Sequence, residues 1–235
     1  MCGRFTYLFT WADLHRLSLL TVLPAGQLQR RYNVAPTQSA PVIRDDDGQR
    51  VGSMLQWGLV PHWAKDESIG SRLINARAES AADKPAFRAA LRRRRCLVPA
   101  SGFYEWSRPA RRRTRSPTYF TPADEPLFTF AGLWESWTPA DAGDPIETFC
   151  ILTTDANDLV KEVHERMPVI LFGPDRDRWL DRSLSEPGPL APLLAPADPT
   201  RMRGVAVSPR VNSPRTDDPS LIEPIRGQTS LFEQE

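Results

Sequence analysis

The 235-residue chain is poor in several residue types that announce a function. Its three cysteines, at positions 2, 96 and 150, build neither a disulfide framework nor a zinc site. Lysine is almost missing: Lys65, Lys84 and Lys161 stand among 30 basic residues, so arginine carries the positive charge. No apolar run approaches the roughly 18–20 residues that cross a bilayer as a helix, and no internal repeat is visible. The start, Met1-Cys2-Gly3-Arg4-Phe5, has no apolar stretch of the kind that marks a secretory or lipoprotein leader. A cytoplasmic, nucleoid-associated location is expected, with no membrane partner.

What is present is an ordinary globular composition, 40% hydrophobic and 25% charged, over a length suited to one domain. We expect a single domain over 1–235, with 226–235 as a flexible tail. The net charge of +1 conceals a division. Residues 1–120 hold 20 of the 30 Lys+Arg and 9 of the 29 Asp+Glu, a balance of +11, and the remainder carries −10. A basic half favours a polyanionic partner. Two domain faces that attract each other would leave the same trace.

Helix signals are few. Thr10 can cap a helix with Leu14, Leu17 and Leu20 inward. Asp83-Lys84-Pro85 reads as a helix start with Phe87, Ala90 and Leu91 inward. Asn157 can cap a helix carrying Leu159, Val160 and Val163, and Pro174 can open one holding Trp179 and Leu180. Short β-rich runs fall at Pro41–Arg44, Met54–Leu59, Cys96–Pro99, Gly102–Trp106, Leu127–Leu133, Phe149–Thr153, Val169–Leu171 and Val205–Val207. Strands outnumber helices without regular alternation. This predicts an α+β fold, a curved, barrel-like and mainly antiparallel β core flanked by short helices. Arg108–Pro117 and Pro187–Pro199 read as loops.

Cys96 and Cys150, each inside an apolar run, read as small core residues. Cys2 has no packing reason to be a thiol. Removal of the initiator Met, common before a small second residue, would expose an amine and a thiol on one carbon skeleton. Such an aminothiol condenses with an aldehyde to an imine and then closes a thiazolidine ring. The α-amine, with a pKa of about 7.7–8.0, is partly neutral at pH 7, and ring closure is intramolecular. An incidental Cys in a start sequence is the plainer alternative. Asn75-Ala76-Arg77-Ala78-Glu79 offers an amide to orient a reacting group and a guanidinium to grip phosphate, or only a capped turn with a surface ion pair. In Gly102-Phe103-Tyr104-Glu105-Trp106, strand alternation sets Glu105 on the face opposite Tyr104 and Trp106. A carboxylate among aromatics has a raised pKa if buried; otherwise it is an exposed strand residue. His164 ends a helix before a strand, where it either enters a cleft or complements the helix end. His15 reads as structural. Trp57 to Lys65 interleaves indoles with cations, as in single-strand grooves; Trp57 should be partly core, and Trp63 is the better stacking candidate.

These blocks, taken in order, resemble the SOS-response-associated peptidase (SRAP) family. The resemblance runs through Cys2-Gly3-Arg4-Phe5, Arg31-Tyr32-Asn33-Val34-Ala35-Pro36-Thr37, Trp57-Gly58-Leu59-Val60-Pro61-His62-Trp63, the Asn75 and Glu105 blocks and His164-Glu165-Arg166-Met167-Pro168. It ends with Val207-Ser208-Pro209-Arg210-Val211-Asn212 and Leu221-Ile222-Glu223-Pro224-Ile225. It implies a sensor of abasic sites in single-stranded DNA that forms a thiazolidine cross-link through Cys2, with lyase activity as a side branch and self-processing peptidase activity. It implies no metal or organic cofactor. By block, Cys2 is the nucleophile, Asn75 orients the amine or a sugar hydroxyl, Glu105 moves protons and His164 assists ring opening. Arg4, Arg77 and Trp63 are DNA contacts, and Asn33 and Pro36 line the groove. The expected partner is abasic single-stranded DNA, bound by a monomer, with replication-fork proteins as further partners. Two other readings stay open at this point: an N-terminal-nucleophile or cysteine peptidase or amidase, and a non-catalytic single-strand binder.

Overall fold

A computed structural model describes residues 2–107, 116–140 and 143–225. Twelve strands run through the described residues: β1 (Phe5–Tyr7), β2 (Arg31–Val34), β3 (Ser39–Asp46), β4 (Gln49–Trp57), β5 (Asn75–Arg77) and β6 (Arg95–Ala100), then β7 (Gly102–Trp106), β8 (Pro117–Pro122), β9 (Phe128–Trp137), β10 (Ile146–Asp155), β11 (Arg166–Pro168) and β12 (Met202–Ala206). Six short helices accompany them: α1 (Trp11–Arg16), α2 (Ala78–Ala81), α3 (Arg88–Arg93), α4 (Asp158–Lys161), α5 (Pro174–Leu180) and α6 (Pro187–Leu190).

The fold is α+β, as expected, and its core is a closed barrel. Strands β4, β3, β6 and β9 pair in that order, antiparallel throughout, and β10 closes the ring, antiparallel to β9 and parallel to β4. The β3–β4 hairpin turns at Asp47-Gly48, both with positive φ, which suits the twist of a two-residue turn. Beyond the ring, β10 continues from Ile151 to Asp155. There β5 takes one side of it, with Asn75 opposite Ile151, and β11 the other, with Arg166 opposite Asp155.

A second, five-stranded antiparallel sheet, β12-β8-β7-β1-β2, lies on the barrel. The alternation expected in β7 sorts its aromatics. Phe103 joins Phe5, Phe120, Phe128 and Phe130 on the barrel side, and Phe5 meets the fully buried Trp57 edge-on at 5.1 Å. Tyr104, on the other face, packs on Tyr119 at 4.8 Å and is covered by Val207, Val211 and Leu221. The last described segment therefore seals the outer face of the sheet.

The caps at Thr10 and Asn157 are in place, and Pro174 opens α5. Several expectations are corrected. Leu17 lies outside α1 and is exposed, because the helix ends at Arg16; His15 is exposed as well. α3 begins at Arg88, since turns through Lys84 and Phe87 precede it, although Phe87, Ala90 and Leu91 are buried. The strand placed at Val169–Leu171 is Arg166–Pro168; Val169 and Leu171 keep backbone bonds to Ala131 and Thr129. Pro187–Pro199 is not an open loop. Prolines start α6 and a 3-10 turn at Ala191–Leu194, and Leu190 and Leu193 anchor them in the core. The arginine-rich stretch 108–115 and the tail 226–235 lie outside the described residues. Among the described residues, no helix is long and apolar enough to cross a membrane.

Candidate active site

Cys2 leads into β1, the strand between β2 and β7. Phe5 sits opposite Phe103, and the Tyr104 N–H donates to the Arg4 carbonyl at 3.0 Å. The antiparallel run carries Cys2 toward Glu105. Both are out of solvent, Cys2 at 0% and Glu105 at 2% exposure. From the barrel side, Asn75 Nδ2 donates to the Cys2 carbonyl at 2.8 Å. Asn75 Oδ1 is buried and accepts no hydrogen bond. A buried amide oxygen in that state costs on the order of 1–3 kcal/mol, and such costs concentrate at functional sites.

Burial sets the electrostatics. Desolvation pushes the Glu105 carboxyl from 4.5 to about 7. It pushes the Cys2 thiol well above its usual range, and the neighbouring Glu105 charge raises it further. The thiol is therefore protonated at neutral pH, while Glu105 is balanced between its two states, as a proton carrier needs.

Asn33 is completely buried. It was expected to line a groove; instead its amide is spent inside the protein. Nδ2 donates to the carbonyls of Val211, Ser213 and Thr216 at 3.2, 3.0 and 2.7 Å, and Oδ1 accepts from Arg4 Nη1 at 2.8 Å. Arg4 also donates to the carbonyls of Val211 at 2.7 Å and Asn212 at 3.2 Å. This network ties β1, β2 and the 211–216 segment together beside Cys2. Nothing in the sequence predicts this network, although the Val211-Asn212 block stands out there. Trp106 adds to it by donating from Nε1 to Asn212 Oδ1 at 2.6 Å.

His164 sits where α4 gives way to β11, at the end of β10 that also carries β5. The Arg166 N–H approaches its Nδ1 at 3.0 Å. Arg77 is exposed at the end of β5, and Pro36 is half-buried in the turn after β2. Trp63 is 50% exposed. Its loop is held at the base by the Val60 N–H on Thr148 Oγ1 and by Trp137 Nε1 on the Ala64 carbonyl. The loop leaves β4 at Gly58, with φ +136°, where a side chain would collide with the Gly70 carbonyl. Among the described residues, the side chains of Arg77, Pro36 and Trp63 stand outside the hydrogen-bond network that joins Cys2, Asn75, Arg4 and Asn33. No group of three His, Cys, Asp or Glu side chains among those residues is placed to hold a metal ion.

Comparison with known proteins bears out the family resemblance. A family model described as SOS response associated peptidase (SRAP) matches residues 1–214. Abasic site processing protein YoqW of Bacillus subtilis is 43% identical over 225 residues, spanning 95% of this chain and 99% of the relative. Abasic site processing protein HMCES of Gallus gallus is 32% identical, spanning 86% of this chain and 68% of the relative. A crystal structure of a Bacteroides thetaiotaomicron protein superposes with a TM-score of 0.83 at 28% identity, covering 95% of this chain and all of that one. The chain belongs to the SRAP family.

Proposed function

We propose that this protein processes abasic sites in single-stranded DNA by covalent capture on Cys2, after loss of Met1. The relatives named as abasic site processing proteins support the substrate. The observation that carries the chemistry is the pairing of a buried Cys2, its carbonyl gripped by Asn75, with a Glu105 carboxyl held near neutrality.

An abasic deoxyribose reacts as its open-chain aldehyde. His164 supplies a proton as the sugar ring opens. The neutral Cys2 amine adds to C1′, Glu105 carries the proton from nitrogen to the departing hydroxyl, and one water leaves to give an imine. The Cys2 thiol then adds across that C=N bond, its sulfur to carbon and its proton to nitrogen, closing the thiazolidine. A thiol that keeps its proton until the imine exists suits this order. It suits direct attack on a peptide bond poorly, because there the thiolate is the nucleophile. The lone Asn75 Oδ1 is an acceptor for the Cys2 amine or a sugar hydroxyl. Where ring closure fails, the imine allows β-elimination and strand cleavage, the expected lyase side branch.

For the DNA path, Trp63 offers an exposed indole on which a base can stack. Arg77 offers a phosphate contact and Pro36 a half-buried wall. Arg4 has committed three of five donors and keeps the others for phosphate. Asn33 acts through Arg4 rather than by touching DNA.

The test is intact mass after mixing with an abasic single-stranded oligonucleotide. The expected product is the Met1-less chain plus the oligonucleotide minus one water, and none forms with intact DNA. An adduct that persists after Cys2→Ser, or after acetylation of the Cys2 amine, would overturn the mechanism.

A further inference from the structure

The Arg166 guanidinium bridges both flanks of β10. From the first residue of β11 it donates through Nη1 to Glu79 Oε1 and Asp155 Oδ1, both at 2.6 Å. Through Nη2 it reaches Glu79 Oε2 at 2.9 Å and the Thr153 carbonyl at 2.6 Å. Glu79 lies in α2, directly behind the strand that carries Asn75. The bidentate pair therefore fastens the His164–Arg166 segment to the Asn75–Arg77 segment across β10. The Arg166 side chain is 13% exposed, while Glu79 is half exposed at 51%.

The main chain of Arg166 does a second thing. Its N–H lies 3.0 Å from His164 Nδ1 and its carbonyl 3.3 Å from the same atom. A neutral imidazole with the proton on Nε2 accepts from the N–H at Nδ1. A protonated ring turns Nδ1 into a donor, and the carbonyl is there to accept. The ring can thus change charge without losing its partner, provided that the Arg166 peptide stays where it is.

We propose that Glu79 is a positioning residue for His164: by clamping the Arg166 guanidinium it fixes the peptide unit that selects the imidazole tautomer. This rests on the reading of His164 as the group that assists opening of the abasic sugar. A salt bridge serving fold stability alone would leave the tautomer unchanged once the protein is folded. Asp155, 80% exposed on its side chain, shares the guanidinium from the end of β10.

The experiment uses the full chain with 15N-labelled histidine and the variants Glu79→Gln and Glu79→Asp. The near-isosteric Gln variant guards against loss of folding, which a thermal melt checks. In the unmodified protein the His164 ring nitrogens should report the Nε2–H tautomer. Glu79→Gln should give a mixture of tautomers and cross-link abasic single-stranded DNA at least tenfold more slowly, with binding to intact single-stranded DNA changed less than threefold. Glu79→Asp, which keeps the charge, should recover part of the rate. A folded Glu79→Gln with unaltered His164 nitrogen signals overturns the proposal, and so does one that cross-links at the normal rate. The nitrogen signals are read without DNA, so an unmodified protein that forms no adduct would refute the abasic-site chemistry and leave the tautomer result standing.

Discussion

Replacing Glu105 with Gln should stabilise the protein at alkaline pH while disabling it. In the folded chain the carboxyl is moved from 4.5 to about 7 by desolvation. Above pH 7 it is ionised in both the folded and the unfolded chain, and the folded state bears the cost of a buried charge. That difference corresponds to about 3 kcal/mol. As pH falls through 7, the folded chain takes up a proton before the unfolded chain does, and the penalty shrinks. At about pH 4.5 the folded chain is neutral and the unfolded chain half ionised, so about 0.4 kcal/mol remains, and by about pH 3.5 it has gone. Glu105→Gln lacks the titration, and the remaining ionisable groups are common to both proteins. Urea unfolding of the two proteins at several pH values from 4.5 to 8 should therefore show Glu105→Gln gaining about 3 kcal/mol relative to the parent across that range, nearly all of it between 4.5 and 7. Cross-linking to abasic DNA should fall by about 100-fold or more, the usual worth of a proton carrier. A stability difference that stays flat with pH would mean that the carboxyl is not desolvated in the folded chain. The proton-transfer role assigned to Glu105 would then lose its physical basis.

Further substitutions separate the parts of the site. Cys2→Ser should abolish the stable adduct and raise strand cleavage, measured on a denaturing gel, because the imine can then eliminate. Asn75→Ala removes the 2.8 Å bond to the Cys2 carbonyl and also an unsatisfied buried oxygen, so stability should change by no more than about 1 kcal/mol while the adduct forms at least tenfold more slowly. Asn33→Ala leaves three carbonyls and one Arg4 donor without their amide partner and should cost about 3 kcal/mol in chemical denaturation. Trp63→Ala, at an exposed position, should leave the melting temperature within about a degree. It should weaken single-stranded DNA binding by about 1–3 kcal/mol in a fluorescence titration.

Some of this architecture is open to reading from sequence because its causes are local. Strand β7 follows from strict alternation, and Glu105 falls on the face opposite Tyr104 and Trp106 for the same reason. The caps Thr10 and Asn157 declare themselves by side-chain chemistry. What escaped has non-local causes. Strands β1 and β2 are three and four residues long, too short for a period to show, and they exist because β7 gives β1 an edge. Barrel closure depends on a parallel pairing between β10 and β4, which no stretch of either strand encodes by itself. The Asp47-Gly48 hairpin turn was visible in principle, but the runs placed at Pro41–Arg44 and Met54–Leu59 left it outside both strands. The family resemblance sets Asn33 among the residues that line the groove. Only the fold brings residues 211–216 over it and makes it a buried anchor.

The site also resolves an apparent conflict between its two halves. Under the proposed mechanism Cys2 is a nucleophile and needs access, yet it is completely buried and its thiol is held in the protonated state. Capture of an aldehyde needs the nitrogen first. The sulfur must not react ahead of it, so a desolvated thiol is protected while it waits. Burial raises Glu105 at the same time and by the same cause, so in the proposed mechanism one desolvated region both protects the sulfur and readies the carboxyl. The cost falls on an otherwise well-fastened region, where Phe5 and Trp57 pack beneath and Arg4 and Asn33 bind the flank. A polar substitution at Phe5 would therefore do more than loosen the core. By wetting the pocket it would lower both groups toward their ordinary values, making the thiol more reactive toward alkylating reagents and the carboxyl a weaker base.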